Sequence, residues 1–141
     1  IGGALHTYLQ ISDIGAVNVS GLEGCDYHDK VDNFARKTQH GDIAFDGEVD
    51  RVYVDTPADC VIVDAGLKRR IRIAKTGSLS TIVWTPWTEK ADKMGDMGAG
   101  KSGTGWREMV CVESANAMDN LVTVAPGATH ALAVTYSVEP L

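Results

Sequence analysis

The sequence predicts an all-β protein built as an antiparallel β-sandwich, and two observations support this fold class. First, short β-type runs recur at close spacing and are separated by clusters of Gly, Pro, Asp and Asn, which are typical of turns. Second, no segment sustains a 3.6-residue apolar period over three turns, which leaves a single helical turn at most. The predicted strands cover residues 5–11, 16–22, 51–54, 60–65, 70–74, 81–84, 108–113, 121–124 and 130–138.

Alternation along each predicted strand assigns its two faces, because successive residues point to opposite sides. In the first strand an apolar set, including Leu9 and Ile11, is expected to face the core. The opposite set faces solvent or a cleft and consists of His6, Tyr8 and Gln10. In the run "EMVCVE" both faces are apolar until the run closes at Glu113. We expect burial there to raise the pKa of the Glu113 carboxyl.

Length and charge limit the classes of partner. A chain of 141 residues suits one core, and a single domain is predicted over residues 1–141. No apolar run approaches the ~18 residues of a membrane span. The net charge of −6 argues against nucleic acid and anionic membranes, which bind clustered Lys and Arg. The one basic cluster, residues 68–75, alternates with isoleucines and is interpreted as the solvated face of a strand.

The cysteines and histidines show no local pattern of a metal site. Cys25, Cys60 and Cys111 are widely spaced, odd in number and without a C-x-x-C pair, and the four histidines have no H-E-x-x-H spacing. Reduced thiols and a cytoplasmic location are therefore expected, with no metal and no cofactor.

One string imitates a nucleotide-binding loop. Residues 95–102 read "GDMGAGKS" and fit the P-loop pattern, which needs a buried strand before it and a helix after it. The preceding "TEKADKM" is too polar for such a strand, and the following "GTGW" places glycines where the helix should start. We interpret the string as a mobile loop. It lies in one of the two segments predicted to be least ordered, residues 26–41 and 89–105.

Six blocks carry a resemblance to a known family. They are, in order, "ALHTYLQISDI", "GLEGCDYHDKVD", "IAFDGEVDRVY", "GSLSTIVWTPWTEKADKMGDM", "WREMVCVESAN" and "APGATHAL". This order resembles the hexose-6-phosphate mutarotases, or glucose-6-phosphate 1-epimerases, of the aldose 1-epimerase superfamily. The resemblance covers nearly all of this chain. It corresponds to only about the C-terminal half of the usual length of family members. It implies the C-terminal portion of a galactose-mutarotase-like β-supersandwich.

The resemblance also implies roles for three residues. By motif, His6 of "LHTY" is the general acid, Glu113 of "CVE" is the general base and Asp50 of "DRVY" holds the sugar. The implied reaction interconverts the α and β anomers of a hexose 6-phosphate without a metal or an organic cofactor. Leu9 and Thr85 depart from the family's usual Phe and Asn. The three tryptophans are interpreted as core residues.

The absence of an initiator Met and the strand-like opening suggest the remainder of a longer chain, lacking the half that supplies phosphate-binding arginines in relatives. The alternative to an enzyme is therefore a non-catalytic carbohydrate-binding or interaction module that keeps the sheet. Half of a supersandwich leaves strand edges open, so a homodimer formed through those edges is also predicted.

Overall fold

The computed structural model describes residues 1–97 and 104–141. Over these residues the chain forms strands, one short helix and a few 3-10 turns. The strands are β1 (Gly3–Leu5), β2 (Tyr8–Gln10), β3 (Val17–Ser20), β4 (Asp26–Asp29), β5 (Ala35–Thr38), β6 (Ile43–Ala44), β7 (Val49–Tyr53), β8 (Cys60–Asp64), β9 (Arg69–Thr76), β10 (Ser80–Thr85), β11 (Met109–Asn116) and β12 (Ala133–Pro140). The helix is α1 (Trp87–Asp92), and the 3-10 turns are Ile14–Ala16, Lys30–Asp32, Gly105–Glu108 and Met118–Asn120.

The strands form two antiparallel sheets, as the sequence predicts. The first has the order β1-β11-β10-β7-β4-β5, with β2 also paired to β11, and the second has the order β12-β9-β8-β3-β6. Because most neighbours are not consecutive in the chain, the sheets depend on long-range pairing. No helix in the described ranges is long and apolar enough to cross a membrane.

The core lies between the two sheets. Val112 of β11 and Tyr53 of β7 reach it from the first sheet, and Ile62 of β8 reaches it from the second; none of the three is exposed. On β9 the isoleucines are buried while Arg70 and Arg72 are exposed, which confirms the solvated face for these two arginines. Lys75 is not on that face: it is partly buried and donates hydrogen bonds to the Ser80 carbonyl and the Thr81 hydroxyl. Apolar burial of about 25 cal/mol per Å² is the main force that holds the sheets together. The single domain over residues 1–141 stays a prediction.

The expectation of weak order over residues 26–41 is wrong. This segment forms β4, a 3-10 turn and β5, and β4 pairs with β7 inside the first sheet. Its charges are matched: Lys37 Nζ lies 2.8 Å from carboxylate oxygens of both Asp29 and Asp32. A polar composition therefore accompanies order here because the charged groups are paired and the backbone joins the sheet.

The strand predicted at residues 121–124 is also wrong. The 3-10 turn Met118–Asn120 precedes this stretch, and Leu121 remains 63% exposed. Backbone bonds link Val122 to Ile1 in both directions, without a continuing ladder. A single pair of bonds does not make a strand. The P-loop-like string lies largely outside the described residues, so its interpretation as a mobile loop stays a prediction.

Strand β12 offers the open edge on which the predicted homodimer depends. It pairs with β9 along one side, and Tyr136, Val138 and Leu141 are 37%, 60% and 51% exposed. Tyr136 and Val138 are opposite the buried Ile73 and Ile71. They therefore lie on the face of the sheet that packs on the core, but at its edge, where they are exposed.

We expect the chain to self-associate through this edge, because exposed apolar strands pair with one another. Sedimentation velocity over a range of concentrations should show a dimer. Val138→Lys should shift the equilibrium toward monomer, whereas Leu79→Lys, at a 48% exposed position outside β12, should not. A strictly monomeric wild-type chain at every concentration contradicts the prediction.

Candidate active site

The candidate site lies on the outer face of the first sheet, away from the shared core. Opposite residues of an antiparallel pair place their side chains on the same face. Glu113 of β11 is opposite Ile82 of β10, and Trp84 of β10 is opposite both Cys111 of β11 and Asp50 of β7. The register therefore gathers these five side chains on one face of three neighbouring strands.

A bend in the chain places His6 beside Glu113. The predicted strand 5–11 is interrupted: β1 and β2 both pair with β11, but at different positions along it. Between them the Thr7 amide donates to the Leu5 carbonyl at 3.1 Å. His6 lies in this interruption, and its Nδ1 is 3.4 Å from Glu113 Oε1. The His6 side chain is 49% exposed and the Glu113 side chain 5%. His6 is therefore in contact with solvent, whereas Glu113 beneath it is buried.

Aromatic side chains fix the imidazole of His6. Tyr8 stacks on it with the ring centres 5.0 Å apart and the planes at 9°. Trp84 meets both rings edge-on, at 5.8 Å from His6 and 6.0 Å from Tyr8. Since each such contact contributes about 0.5–1.5 kcal/mol, the ring is held in one orientation. The expectation that the tryptophans are core residues holds for Trp106, which is 5% exposed in the core. Trp84 is 8% exposed but lies on the outer face of the sheet, where it forms one wall of the site.

Asp50 is held by a cation. Its Oδ2 lies 3.2 Å from Lys30 Nζ, and Asp50 is 8% exposed. Lys30 belongs to the 3-10 turn that follows β4, and the Asp29 side chain accepts a hydrogen bond from the Val31 amide at the start of this turn. Sequence reasoning misses Lys30 because it falls in the segment expected to be poorly ordered.

The protonation of Glu113 is set by its surroundings. The pKa of its carboxyl is raised to about 7: burial is the largest cause, the Asp50 carboxylate also raises the pKa, and Lys30 lowers it. The direction agrees with the expectation from sequence, but the position differs: β11 does not close at Glu113. It continues to Asn116 and is buried throughout. Glu113 is therefore an interior strand residue, and desolvation is stronger there than at a strand end.

The three predicted site residues lie at one pocket. It has a volume of about 270 Å³ and opens to solvent. Its lining residues are His6, Lys30, Asp50, Ile82, Trp84 and Glu113. The pocket combines an imidazole, a buried carboxyl and an ion pair on a rigid sheet, an arrangement able to move protons to and from a small polar ligand.

Three side chains of the site carry donor atoms of the kinds that can bind a metal ion. The donor atoms of His6, Cys111 and Glu113 all lie within 4.8 Å of one another. Cys111 is fully buried, and burial raises the pKa of its thiol to about 12. Sequence spacing alone misses this set, because Cys111 and Glu113 share a face of β11 whereas His6 comes from the opposite end of the chain.

Comparison with known proteins identifies the family. The sequence pattern described as Aldose 1-epimerase matches residues 1–137. The chain belongs to the aldose 1-epimerase family. The resemblance found from the sequence blocks is therefore confirmed. This member of the aldose 1-epimerase family has the same β-sandwich fold as a relative of known structure.

Three relatives show the extent of the match. A "Putative glucose-6-phosphate 1-epimerase" from Cenchrus ciliaris is 40% identical over 88% of this chain and 36% of its own length. One of the same name from Escherichia coli strain K12 is 38% identical over 82% of this chain and 38% of its own length. The crystal structure of a "putative mutarotase (YeaD)" from Salmonella typhimurium superposes with a TM-score of 0.82 and 32% identity, over 99% of this chain and 46% of that one. The chain thus spans less than half the length of these relatives.

Proposed function

We propose that this chain carries the acid–base site of a hexose-6-phosphate mutarotase, which interconverts the α and β anomers of glucose 6-phosphate or a similar sugar phosphate. The observation that carries the proposal is the contact between His6 Nδ1 and Glu113 Oε1 at 3.4 Å, on a pocket that also contains Asp50. The names of the curated relatives support the choice of substrate.

The geometry suits ring opening at C1. Glu113 takes the proton of the C1 hydroxyl, and His6 donates a proton to the ring oxygen as the bond between C1 and that oxygen breaks. The aldehyde turns about its bond to C2, and the ring closes on the other face. On closure Glu113 returns its proton to the aldehyde oxygen and His6 recovers one from the C5 hydroxyl. The two reacting oxygens are bonded to the same carbon, so the acid and base must lie close together, as these residues do.

Asp50 and Lys30 supply binding. A carboxylate oxygen of Asp50 accepts hydrogen bonds from sugar hydroxyls, while Lys30 keeps that carboxylate in place at 3.2 Å. Sugar phosphates are intracellular metabolites, and the three free cysteines suit a reducing compartment. We therefore also propose a cytoplasmic location.

Exchange NMR between the anomers of glucose 6-phosphate tests this function. Two proteins are needed: the 141-residue chain, and a hybrid in which it replaces the matching 46% of the Salmonella protein. Faster exchange with either protein supports an enzyme. Binding by the chain without faster exchange in either protein contradicts the enzyme and supports a carbohydrate-binding module.

Asp50→Asn should weaken substrate binding more than turnover. Losing a hydrogen bond to a charged group costs about 1.5–3 kcal/mol, so KM should rise roughly 10-fold or more while kcat changes less. Steady-state kinetics of the hybrid measure both constants. Asp46→Asn, at an exposed position on the same sequence block, is the matched control and should change neither. An Asp50 variant with unchanged KM removes this residue from the binding site.

A further inference from the structure

We propose that His6, Cys111 and Glu113 form a binding site for a zinc-class divalent cation, and that the bound cation switches the acid–base pair off. Binding itself stands on the geometry of the three residues alone. The inhibitory effect rests on the proposed function, since it requires His6 and Glu113 to be the reacting groups.

The donor set suits zinc. A thiolate, an imidazole and a carboxylate are the three ligand types that this ion takes in proteins, usually in a tetrahedral arrangement with a fourth position open to water or substrate. Ligand atoms at the usual bond lengths of such a site lie about 3.3–3.8 Å apart. His6 Nδ1 and Glu113 Oε1 already lie 3.4 Å apart. A donor atom from each of Cys111, His6 and Glu113 lies within 4.8 Å of the other two, so closing the triad needs movements of about 1.3 Å at most.

The surroundings place the open position toward the pocket. Cys111 and Glu113 are alternate residues of β11 and project from the same face. Cys111 is paired with β10 on one side and β2 on the other, and Glu113 is paired with β10. His6 is half exposed and forms the outer ligand. A cation can therefore enter past His6, and its fourth ligand comes from the pocket side. The Asp50 carboxylate, in the same pocket, adds negative charge that favours a cation, and Lys30 offsets part of it.

Binding has a defined proton balance. The Cys111 thiol loses its proton to solvent and becomes the thiolate ligand, and His6 binds through the lone pair of Nδ1. The carboxylate of Glu113 then shares its electron pairs with the cation. With both reacting groups engaged, neither can exchange a proton with a sugar. Removal of the cation by a chelator returns the thiol and frees the pair.

Cobalt(II) provides a readout that does not depend on activity. Titrating Co²⁺ into the 141-residue chain should produce a near-ultraviolet band from thiolate-to-metal charge transfer and visible bands of tetrahedral cobalt, both saturating at one equivalent. Zn²⁺ should remove them by displacement. Cys111→Ser should abolish the near-ultraviolet band, whereas Cys25→Ser, at a partly buried cysteine outside the triad, should keep it.

His6→Asn is the second variant, chosen because His6 is half exposed and its replacement leaves the core intact. It should weaken Co²⁺ binding about tenfold or more, since even indirect partners of a metal ligand contribute 10–100-fold to affinity. His28→Asn, at a histidine paired with Asp119, should have no effect. Failure of Co²⁺ to bind saturably, or a thiolate band that survives Cys111→Ser in a folded protein, overturns the site.

A separate experiment tests whether the bound cation inhibits anomer exchange. If the hybrid catalyses anomer exchange, Zn²⁺ should inhibit it and EDTA should restore it, whereas Mg²⁺, which avoids thiolate ligands, should not inhibit. Exchange that is unaffected by Zn²⁺ under conditions where Co²⁺ binds overturns the switch. If no exchange occurs at all while the cobalt spectrum forms as described, the proposed function fails and the metal site stands.

Discussion

Glu113→Gln should slow anomer exchange by the hybrid at least about 100-fold, because a positioned general base typically contributes 10²–10⁴-fold. Gln keeps the shape of the side chain but takes no proton from the C1 hydroxyl. His6→Asn should cause a loss of similar size, because Asn donates no proton to the ring oxygen. Exchange NMR measures both rates, and circular dichroism checks that each variant is folded.

The control for this prediction is His28→Asn. His28 contacts Asp119 at 3.2 Å and is not among the residues that line the pocket. It lies on the same sheet face as Glu113 but three strands away, about 14 Å at the usual strand spacing. Its replacement should therefore leave the rate within a factor of about two. Wild-type exchange in Glu113→Gln shows that the base is another group. Wild-type exchange in His6→Asn alone shows that another acid protonates the ring oxygen.

The largest expected effect on stability is at Asp64, a carboxylate that is fully buried at the end of β8. It accepts hydrogen bonds from the Ser12 amide at 2.8 Å, the Ser12 hydroxyl at 2.5 Å and the Leu67 amide at 3.1 Å. Asp64→Asn replaces one acceptor oxygen by a donor that faces other donors. We expect it to lower the free energy of unfolding by about 1–3 kcal/mol, measured by urea denaturation at pH 7.

The same variant should change the acid sensitivity of the protein. Burial acts to raise the pKa of Asp64, but the hydrogen bonds from Ser12 and Leu67 outweigh it, and the net shift is downward. A carboxyl with a lowered folded-state pKa stabilises the protein above its unfolded value of about 3.9, and this stabilisation is lost as pH falls through the folded pKa. Urea denaturation from pH 6 down to pH 3 should therefore show the free energy of unfolding of the wild type approaching that of Asp64→Asn as the pH falls.

The control for the stability prediction is Asp46→Asn, at an exposed position. It should change the free energy of unfolding by less than about 0.5 kcal/mol and should keep the wild-type slope with pH. A constant difference between wild type and Asp64→Asn over the whole pH range would mean that the charge of Asp64 contributes nothing, and that the variant acts through packing alone.

Local periodicity was sufficient to predict which face the candidate residues of two strands take. On β11 Val112 enters the core while Cys111 and Glu113 take the other face, as alternation predicts. The same argument placed His6 away from the apolar face of its strand. Alternation works because the side-chain period of a strand is a property of the backbone itself. Fold class and the facing of these candidate residues were therefore open to prediction from the sequence.

Pairing between distant strands was not open to prediction in this way. Lys30 reaches Asp50 only because β4 pairs with β7, and the charged residues 26–41 give no local sign of that pairing. The interruption that turns His6 toward Glu113 likewise arises where β1 and β2 meet different parts of β11.

By itself, then, the sequence determined the all-β class, the faces of the strands, and, through ordered motifs, the family and its three candidate residues. Only the tertiary structure decided which strands are neighbours, that Glu113 lies inside a buried strand, and that Cys111 completes a set of donor atoms with His6. The physical reason is that composition and period act over a few residues, whereas register, desolvation and contact between side chains depend on segments far apart in the chain.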